Sequence, residues 1–511
     1  MTGRSRSVPL AALVGLAAAL RLYRLGSESL WVDELISLEL VRRASAAELL
    51  VLVPAEQPHL PLYYVLLDGW AGLVGTHPAA LRALSVLAGV AAVPAGYAVG
   101  RRLYGHRVGL GAAGLVALSR FQLSYAQQVR MYSLVTLLAL CSFYCLTRRG
   151  ERRWAAGYAV STLTLVLTHP FGLLVPAAQA VPVAAGAVRE GGRRRTAPLL
   201  AVAVLALPAA VWLLAEARTA TITFVELPGA TAVPALVGAL FTDEPSVAAA
   251  LVGSGVVAGA GAFALHAGDG LADADRLVLA WLVVPLVALF VASHAVTPVF
   301  WPRYAAVAAP AAYLVVARGL AAIDRSRLRT GLALLLVTGL VAGAGAYHAG
   351  DQREQWAEAV AAVEQRAGAD DLVVVSDRMV LRNYDYYADR PLETVGVVGP
   401  ESGTGRDRTP EAAVRAALAG EETVWLVFSH VVERERARLL GLAREGRTVT
   451  LHRRFVGVEV YRLERGLTGD TGSGRSAPRG GVSRGTGPCP ERPAAVRQVT
   501  PGGGPVLPEK G

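Results

Sequence analysis

Lysine occurs once in the 511 residues, at Lys510, so the 50 basic side chains are otherwise arginine. Charge is scarce at 18%, while hydrophobic residues reach 53%. That balance excludes an intrinsically disordered chain, and a mean hydropathy of +0.42 argues against a soluble enzyme of ordinary kind. Cysteine is scarce too: Cys141 and Cys145 lie four apart in an apolar run and Cys489 lies in a polar tail. Neither a disulfide framework nor a metal-binding spacing can be drawn from three such residues. No Gly-rich phosphate loop is present, which argues against nucleotide binding, and no internal repeat of the kind common in transporters stands out. The formal charge of +10 comes from arginines clustered between apolar stretches, a pattern of membrane orientation rather than nucleic-acid binding.

What the chain has in abundance is apolar runs of about 17–22 residues, each long enough to cross a bilayer as a helix. They fall at about 8–24, 81–100, 107–124, 131–147, 154–168, 171–188, 197–215, 246–266, 277–294, 303–322 and 328–347. This predicts a polytopic α-helical membrane protein of about eleven transmembrane helices. Arg101, Arg102 and Arg107 share one short loop, Arg148, Arg149, Arg152 and Arg153 a second, Arg189 and Arg193–Arg195 a third, and Arg325, Arg327 and Arg329 a fourth. All four are expected to be cytoplasmic. They alternate correctly only if the stretch His59–Gly75, interrupted by Pro61, Asp68 and Gly69, lies in the outer interface instead of crossing. The first outer loop is then residues 25–80. Arg21 and Arg24 fall on the external side against the rule; they either hold phosphate or lipid headgroups or, the preferred reading, snorkel.

Domain 1–349 is thus a transmembrane domain. From 350 to 465 the pattern alternates strand and helix: a helix at Gln355–Arg366, strands at Leu372–Ser376 and Thr423–Ser429, a charged helix at Glu433–Glu445, and a strand pair around Gly457. A small extracytoplasmic α/β domain is expected there. Residues 466–511, rich in Gly, Pro, Ser, Thr and Arg, read as a disordered tail.

The same topology gathers polar residues at the external helix ends: Asp33, Glu34, His59, Gln128, Arg130, His169, Glu226, Asp243, Glu244, His294 and Arg303. Polar groups are expensive in hydrocarbon, so their placement at one face suggests a shared aqueous site. Five segments stand out: Trp31-Val32-Asp33-Glu34, Gln57-Pro58-His59-Leu60-Pro61-Leu62-Tyr63-Tyr64, Ser124 to Leu134 with Gln128, Arg130 and Tyr132, Thr168-His169-Pro170, and Phe300-Trp301-Pro302-Arg303-Tyr304. Taken singly, the carboxylates fit a solvated turn or a helix N-terminus, His59 a surface position, and the His169 and Arg303 segments caps or interface anchors. A carboxylate at a membrane face can also act as a general base, and an arginine can bind a phosphate oxygen or pair with a carboxylate such as Glu34.

Together, and in this order over about residues 10–350, the five segments resemble the GT-C glycosyltransferases of the glycosyltransferase 39 and protein-mannosyltransferase-like group, which includes the aminoarabinose transferases. Two positions depart from that pattern. Pro58 and Pro61 are separated by His59 and Leu60 rather than adjacent, and Gln128-Val129 stands where Glu-Ala is common. The resemblance implies transfer of a sugar, mannose or another hexose or pentose, from a polyprenyl-phosphate donor. The acceptor would be a lipid, glycan or protein at the outer face of the cytoplasmic membrane, and the anomeric carbon would invert. Asp33 would be the base, with Glu34 orienting acceptor or sugar. Arg130 and Arg303 would hold the phosphate with Tyr132 and Tyr304, and His169 and His59 would assist. Partners would be the lipid-linked donor, the acceptor and membrane lipids, with no nucleic acid. No cofactor and no divalent metal are expected, because arginines suffice for a phosphate monoanion. A flippase of a lipid-linked glycan and a membrane scaffold presenting the α/β domain are the competing classes. A flippase needs charges within its spans, and a scaffold needs neither Asp33 nor Arg130.

Overall fold

The computed structural model describes residues 3–56, 59–149, 151–190, 193–219, 225–244, 246–267, 271–397 and 411–466. Gln57 and Pro58 lie outside the described residues, as does the expected tail beyond Gly466. Internal contacts divide the chain into two units: residues 1–28 with 33–352, and residues 29–32 with 353 onward.

The first unit is all helix, and a helix occupies each of the eleven apolar stretches. Among the described residues, four are long and apolar enough to cross a membrane: Pro78–Tyr104, Asp273–Ala295, Pro302–Ala321 and Ser326–Ala349. A fifth crossing is possible if Ala232–Thr242 and the helix from Val247, bent by 104° at their junction, form one broken span. Two further apolar helices, Gly3–Leu22 and Arg193–Thr219, run 20 and 27 residues, and the count of eleven full crossings is an expectation beyond this measure. His106–Leu118 ends at Ser119, whose hydroxyl bonds the carbonyls of Leu240 and Phe241 and the Tyr313 hydroxyl, and a second helix resumes at Arg120.

Successive helices run up and down between two ends. Pro78–Tyr104 starts beside the first-loop residues and ends at the first arginine loop, where Gly105 at φ 92° turns the chain into His106–Leu118. These two helices touch backbone to backbone: a Cβ on Gly100 would sit 2.9 Å from the Gly109 Cα. Such close approach of small residues is a membrane-helix packing device. Residues 25–80 form three helices, Val32–Arg43, Ala46–Glu56 and Leu62–Val74, all too short to cross. The first two were not legible as helices beforehand.

Arg21 does not snorkel. It is fully buried, and its guanidinium donates to the carbonyls of Val116 (2.8 Å) and Ala117 (3.0 Å), near the end of His106–Leu118, where carbonyls lack helical partners. Arg24 is partly exposed and pairs with Asp351 at 3.1 Å.

The second unit is a five-stranded sheet of order β2-β1-β3-β5-β4, built from β1 (Leu372–Val375), β2 (Glu393–Gly396), β3 (Thr423–Phe428), β4 (Arg447–Phe455) and β5 (Val458–Arg465). β1, β2 and β3 are parallel, and β4 and β5 form an antiparallel hairpin closed at Gly457, φ 70°. Alternate residues feed two cores. Val373, Val375, Trp425 and Val427 pack under Trp356–Glu364 and Arg378–Tyr387, while Leu372, Val374, Leu426 and Leu463 pack under Glu411–Leu418 and Glu433–Ala443. Residues 29–32 join this unit: Leu30 N donates to the Tyr387 hydroxyl at 2.6 Å, and Ala357 N to the Ser29 hydroxyl at 3.1 Å.

Candidate active site

Asp33 and Glu34 open the first turn of Val32–Arg43, where the helix dipole favours negative charge. They face different partners. Asp33, with 24% of its side chain exposed, accepts from Arg303 Nη1 at 3.1 Å through Oδ2, and the same oxygen lies 3.8 Å from Arg130 Nη2. Glu34 is fully buried against a fully buried Arg82, in a two-pronged pair of 2.9 and 2.8 Å. Glu34 Oε1 also accepts from Val129 N at 2.8 Å. Arg82 Nη1 donates to the carbonyls of Leu25 and Glu28, both at 3.0 Å. The Glu34–Arg82 pair therefore ties residues 25–28, the helix start and the 127–131 turn to one point. Arg130 pairs with Asp33.

Arg130 is 4% exposed and sits just before Tyr132–Leu146. Its carbonyl accepts from Ser85 at 3.0 Å, and its Nη2 lies 3.2 Å from His59 Nε2. Burial opposes its charge, but Asp33 and the neighbouring Tyr64 and Tyr132 more than offset this, and the guanidinium is held well above its usual range. Gln127 fixes the same turn: its amide donates to the carbonyls of Arg21 and Tyr23 and accepts from the Tyr347 hydroxyl.

His169 ends Arg152–Thr168 and caps the 3-10 turn Pro170–Leu173, its Nδ1 accepting from Phe171 N. Its ring lies 5.6 Å from Tyr132, 6.4 Å from His59 and 6.4 Å from Tyr304, centroid to centroid. Burial and the adjacent Arg130 and Arg303 push His169 down to about 3, and burial with the same arginines and His169 pushes His59 well below its usual range. Both imidazoles are thus neutral at physiological pH. Arg303 enters from the 3-10 turn Pro302–Ala308, its guanidinium 5.6 Å from the ring centroid of Tyr304. His59 Nδ1 and Arg130 Nε are buried without a hydrogen-bond partner.

The structure therefore brings Asp33, His59, Arg130, Tyr132, His169, Arg303 and Tyr304 into one cluster. Two guanidinium groups converge on the Asp33 carboxylate, with the two imidazoles beside them. Other expected members of this face are engaged differently. Glu244 lies 3.6 Å from Arg120, Gln128 bonds Ser124, and His294 is exposed beside the Phe290 carbonyl. Arg82 and Ser85 were missed. The only signal in the sequence was an arginine beginning an apolar run, which demands a buried acid once it is not at a cytoplasmic end. Among the described residues no group of three or more His, Cys, Asp or Glu is placed to hold a metal ion.

No protein-family model matches the sequence, and no curated protein matches it. Solved structures do match in shape. The chain is similar to ArnT from Cupriavidus metallidurans bound to undecaprenyl phosphate, at 13% identity and a TM-score of 0.53, over 89% of this chain and 98% of that one. The apo state of the same protein gives 0.54 over 88% and 97%. The Archaeoglobus fulgidus oligosaccharyltransferase tethered to an acceptor peptide gives 13% and 0.52, over 90% of this chain and 74% of that one. Residue identity this low speaks to fold: the chain has the fold of the GT-C glycosyltransferases.

Proposed function

We propose that this protein is a membrane glycosyltransferase that moves a sugar from a polyprenyl-phosphate donor to an acceptor at the outer face of the cytoplasmic membrane. The observation that carries the reading is that Arg130 and Arg303 converge on the Asp33 carboxylate. Two guanidinium groups converging in a largely buried cluster fit a phosphate monoanion, and guanidinium is the side chain suited to hold one. ArnT was solved with undecaprenyl phosphate and the archaeal oligosaccharyltransferase with dolichol phosphate, which supports a lipid phosphate as the donor's carrier.

The mechanism follows from competition for the arginines. In the free protein they occupy Asp33. A donor phosphate takes over their donors and frees the carboxylate, whose exposed side can meet an acceptor hydroxyl. Asp33 then removes the hydroxyl proton, the acceptor oxygen bonds the anomeric carbon, and the sugar–oxygen bond breaks with its electron pair left on the phosphate. Arg130 and Arg303 stabilise that developing charge, with Tyr132 and Tyr304 beside them. Attack opposite the leaving phosphate inverts the anomeric carbon. Neutral His59 and His169 supply hydrogen bonds without adding charge. Glu34 is assigned to holding Arg82 and the Val129 amide, and thereby to positioning Asp33 and Arg130, instead of orienting the sugar. No metal step is needed. Mannose or another hexose or pentose is the proposed sugar, and a lipid, glycan or protein the acceptor.

Arg130→Ala should weaken donor binding by about tenfold or more, because it removes a charge-assisted contact worth roughly 1.5–3 kcal/mol. Turnover at saturating donor should fall less. Equilibrium binding of a labelled polyprenyl-phosphate sugar, set beside kcat, separates the two, and unchanged binding would remove Arg130 from the phosphate site.

The proposed topology places the arginine loops inside, with the cluster and the 350–465 domain outside. The motivation is the arginine distribution together with the alternation of helix ends. In a chain whose three cysteines are replaced by alanine, a cysteine at exposed Asp370 should react with an impermeant reagent in intact cells, and one at exposed Arg152 should not. The reverse pattern would overturn the orientation.

A further inference from the structure

The first unit holds a cavity at the end remote from the Asp33 cluster. Arg303 opens the element Pro302–Ala321 at the cluster, and Arg318 lies near its other end, roughly 20 Å away or more at 1.5 Å per helical residue. There a cavity of about 470 Å³ is walled by Phe241, Val256, Val278, Leu279, Leu332 and Leu336. Its size lies within the roughly 300–1,000 Å³ of pockets that bury a ligand. Gly255, Gly259 and Gly319 also line it, and a Cβ on any of them would meet nothing within 4 Å. A second cavity, of about 660 Å³, is lined by Tyr104, His106, Arg107, Val108, Arg318 and Ala321. Tyr104 and Arg318 are common to both. At that shared wall Arg318 Nε lies 3.9 Å from Asp275 Oδ1, and the Arg318 guanidinium stands 5.6 Å from the Tyr104 ring centroid. The His106 Nδ1 lies 2.9 Å from the Tyr97 hydroxyl, and Arg107 is exposed. Arg107 and Arg318 both line the opening, directly beside an apolar hollow.

We infer that this paired cavity is a binding site for an anionic phospholipid, its phosphate at Arg107 and Arg318 and one acyl chain in the apolar chamber. Charge and hydropathy are both accounted for: a lipid without net negative charge complements the arginines less well, and a free phosphate leaves the hollow empty. The site also lies at the arginine-loop end. In the orientation argued above this end meets the cytoplasmic leaflet, where anionic lipids concentrate and basic pockets between helices hold their headgroups. None of its lining residues belongs to the proposed transfer chemistry, so it stands apart from the donor site.

The test is native mass spectrometry of the full chain in detergent. Phosphatidylglycerol, phosphatidylcholine of the same acyl chains, and undecaprenyl monophosphate are titrated separately and in competition. One phosphatidylglycerol should be retained, with phosphatidylcholine at least about tenfold weaker. Arg107→Gln, at an exposed position, should lower phosphatidylglycerol affinity about tenfold, the loss expected for a hydrogen bond to a charged group. Gly259→Leu, whose side chain enters the open chamber, should weaken both phospholipids. Equal retention of phosphatidylcholine, or wild-type retention of phosphatidylglycerol by both variants, overturns the proposal. So does displacement of phosphatidylglycerol by undecaprenyl monophosphate in a manner both variants abolish, which would give the cavity to a polyprenyl carrier. If Gly259→Leu fails to fold, the Arg107→Gln result decides alone.

Discussion

Asp33→Asn should lower turnover by about 10²–10⁴-fold, the usual worth of general-base assistance. Asparagine keeps the size and hydrogen-bonding shape of aspartate but cannot take the acceptor's proton. Donor binding should be unchanged or tighter, because the substitution removes the carboxylate that occupies Arg130 and Arg303 in the free protein. That divergence, slower chemistry with undiminished binding, distinguishes a lost base from a collapsed site. Turnover and equilibrium donor binding are measured on the same purified protein. Near-normal turnover would remove Asp33 from the mechanism and return the Trp31–Glu34 segment to an ordinary helix start.

Arg82→Met should cost about 3–5 kcal/mol of stability, the penalty for leaving one member of a buried ion pair uncompensated. Both Arg82 and Glu34 are fully buried, so solvent cannot replace the lost partner. The substitution also frees the Leu25 and Glu28 carbonyls and loosens the link from Glu34 to the Val129 amide. The double variant Glu34→Gln/Arg82→Met should recover part of the loss, since no charge then remains buried alone. Thermal inactivation in detergent, compared across the two singles and the double, gives the coupling. If Arg82→Met is as stable as the parent chain, the pair is not what fixes the 127–131 turn, and the positioning role of Glu34 falls with it.

The contrast between these two predictions shows what could be read in advance. Asp33, Arg130, His169 and Arg303 each stand at the end of an apolar run, where hydrocarbon ends and a polar side chain ceases to be expensive. Alternating helices then carry such ends to one face, so their company could be inferred without any knowledge of packing. Arg82 and Glu34 are 48 positions apart and buried, as their bond records. A buried pair has no local signature, because each member reads as a flank of its own segment. Arg21 failed for the same reason: an arginine near the end of an apolar run is a snorkelling candidate until a broken helix supplies bare carbonyls. In the second unit the longer strands and the Gly457 hairpin were legible from their β-branched runs. Four-residue β2, with one large apolar side chain in Glu393–Gly396, was not, and neither was Arg378–Tyr387, whose tyrosines and charges mask a buried face. The helices Val32–Arg43 and Ala46–Glu56 were passed over because acidic and basic residues stud the first and Pro54 interrupts the second.

In the proposed reaction a sugar leaves its lipid phosphate within the Asp33–Arg130–Arg303 cluster. The most direct measurement reconstitutes the purified chain in vesicles with a polyprenyl-phosphate sugar labelled in the sugar and an envelope extract as acceptor source. Lipid phosphate released and label transferred are then counted together. Equal amounts of both are expected, abolished together in Asp33→Asn. Labelled donor that crosses the vesicle membrane intact, with no lipid phosphate released, would contradict it.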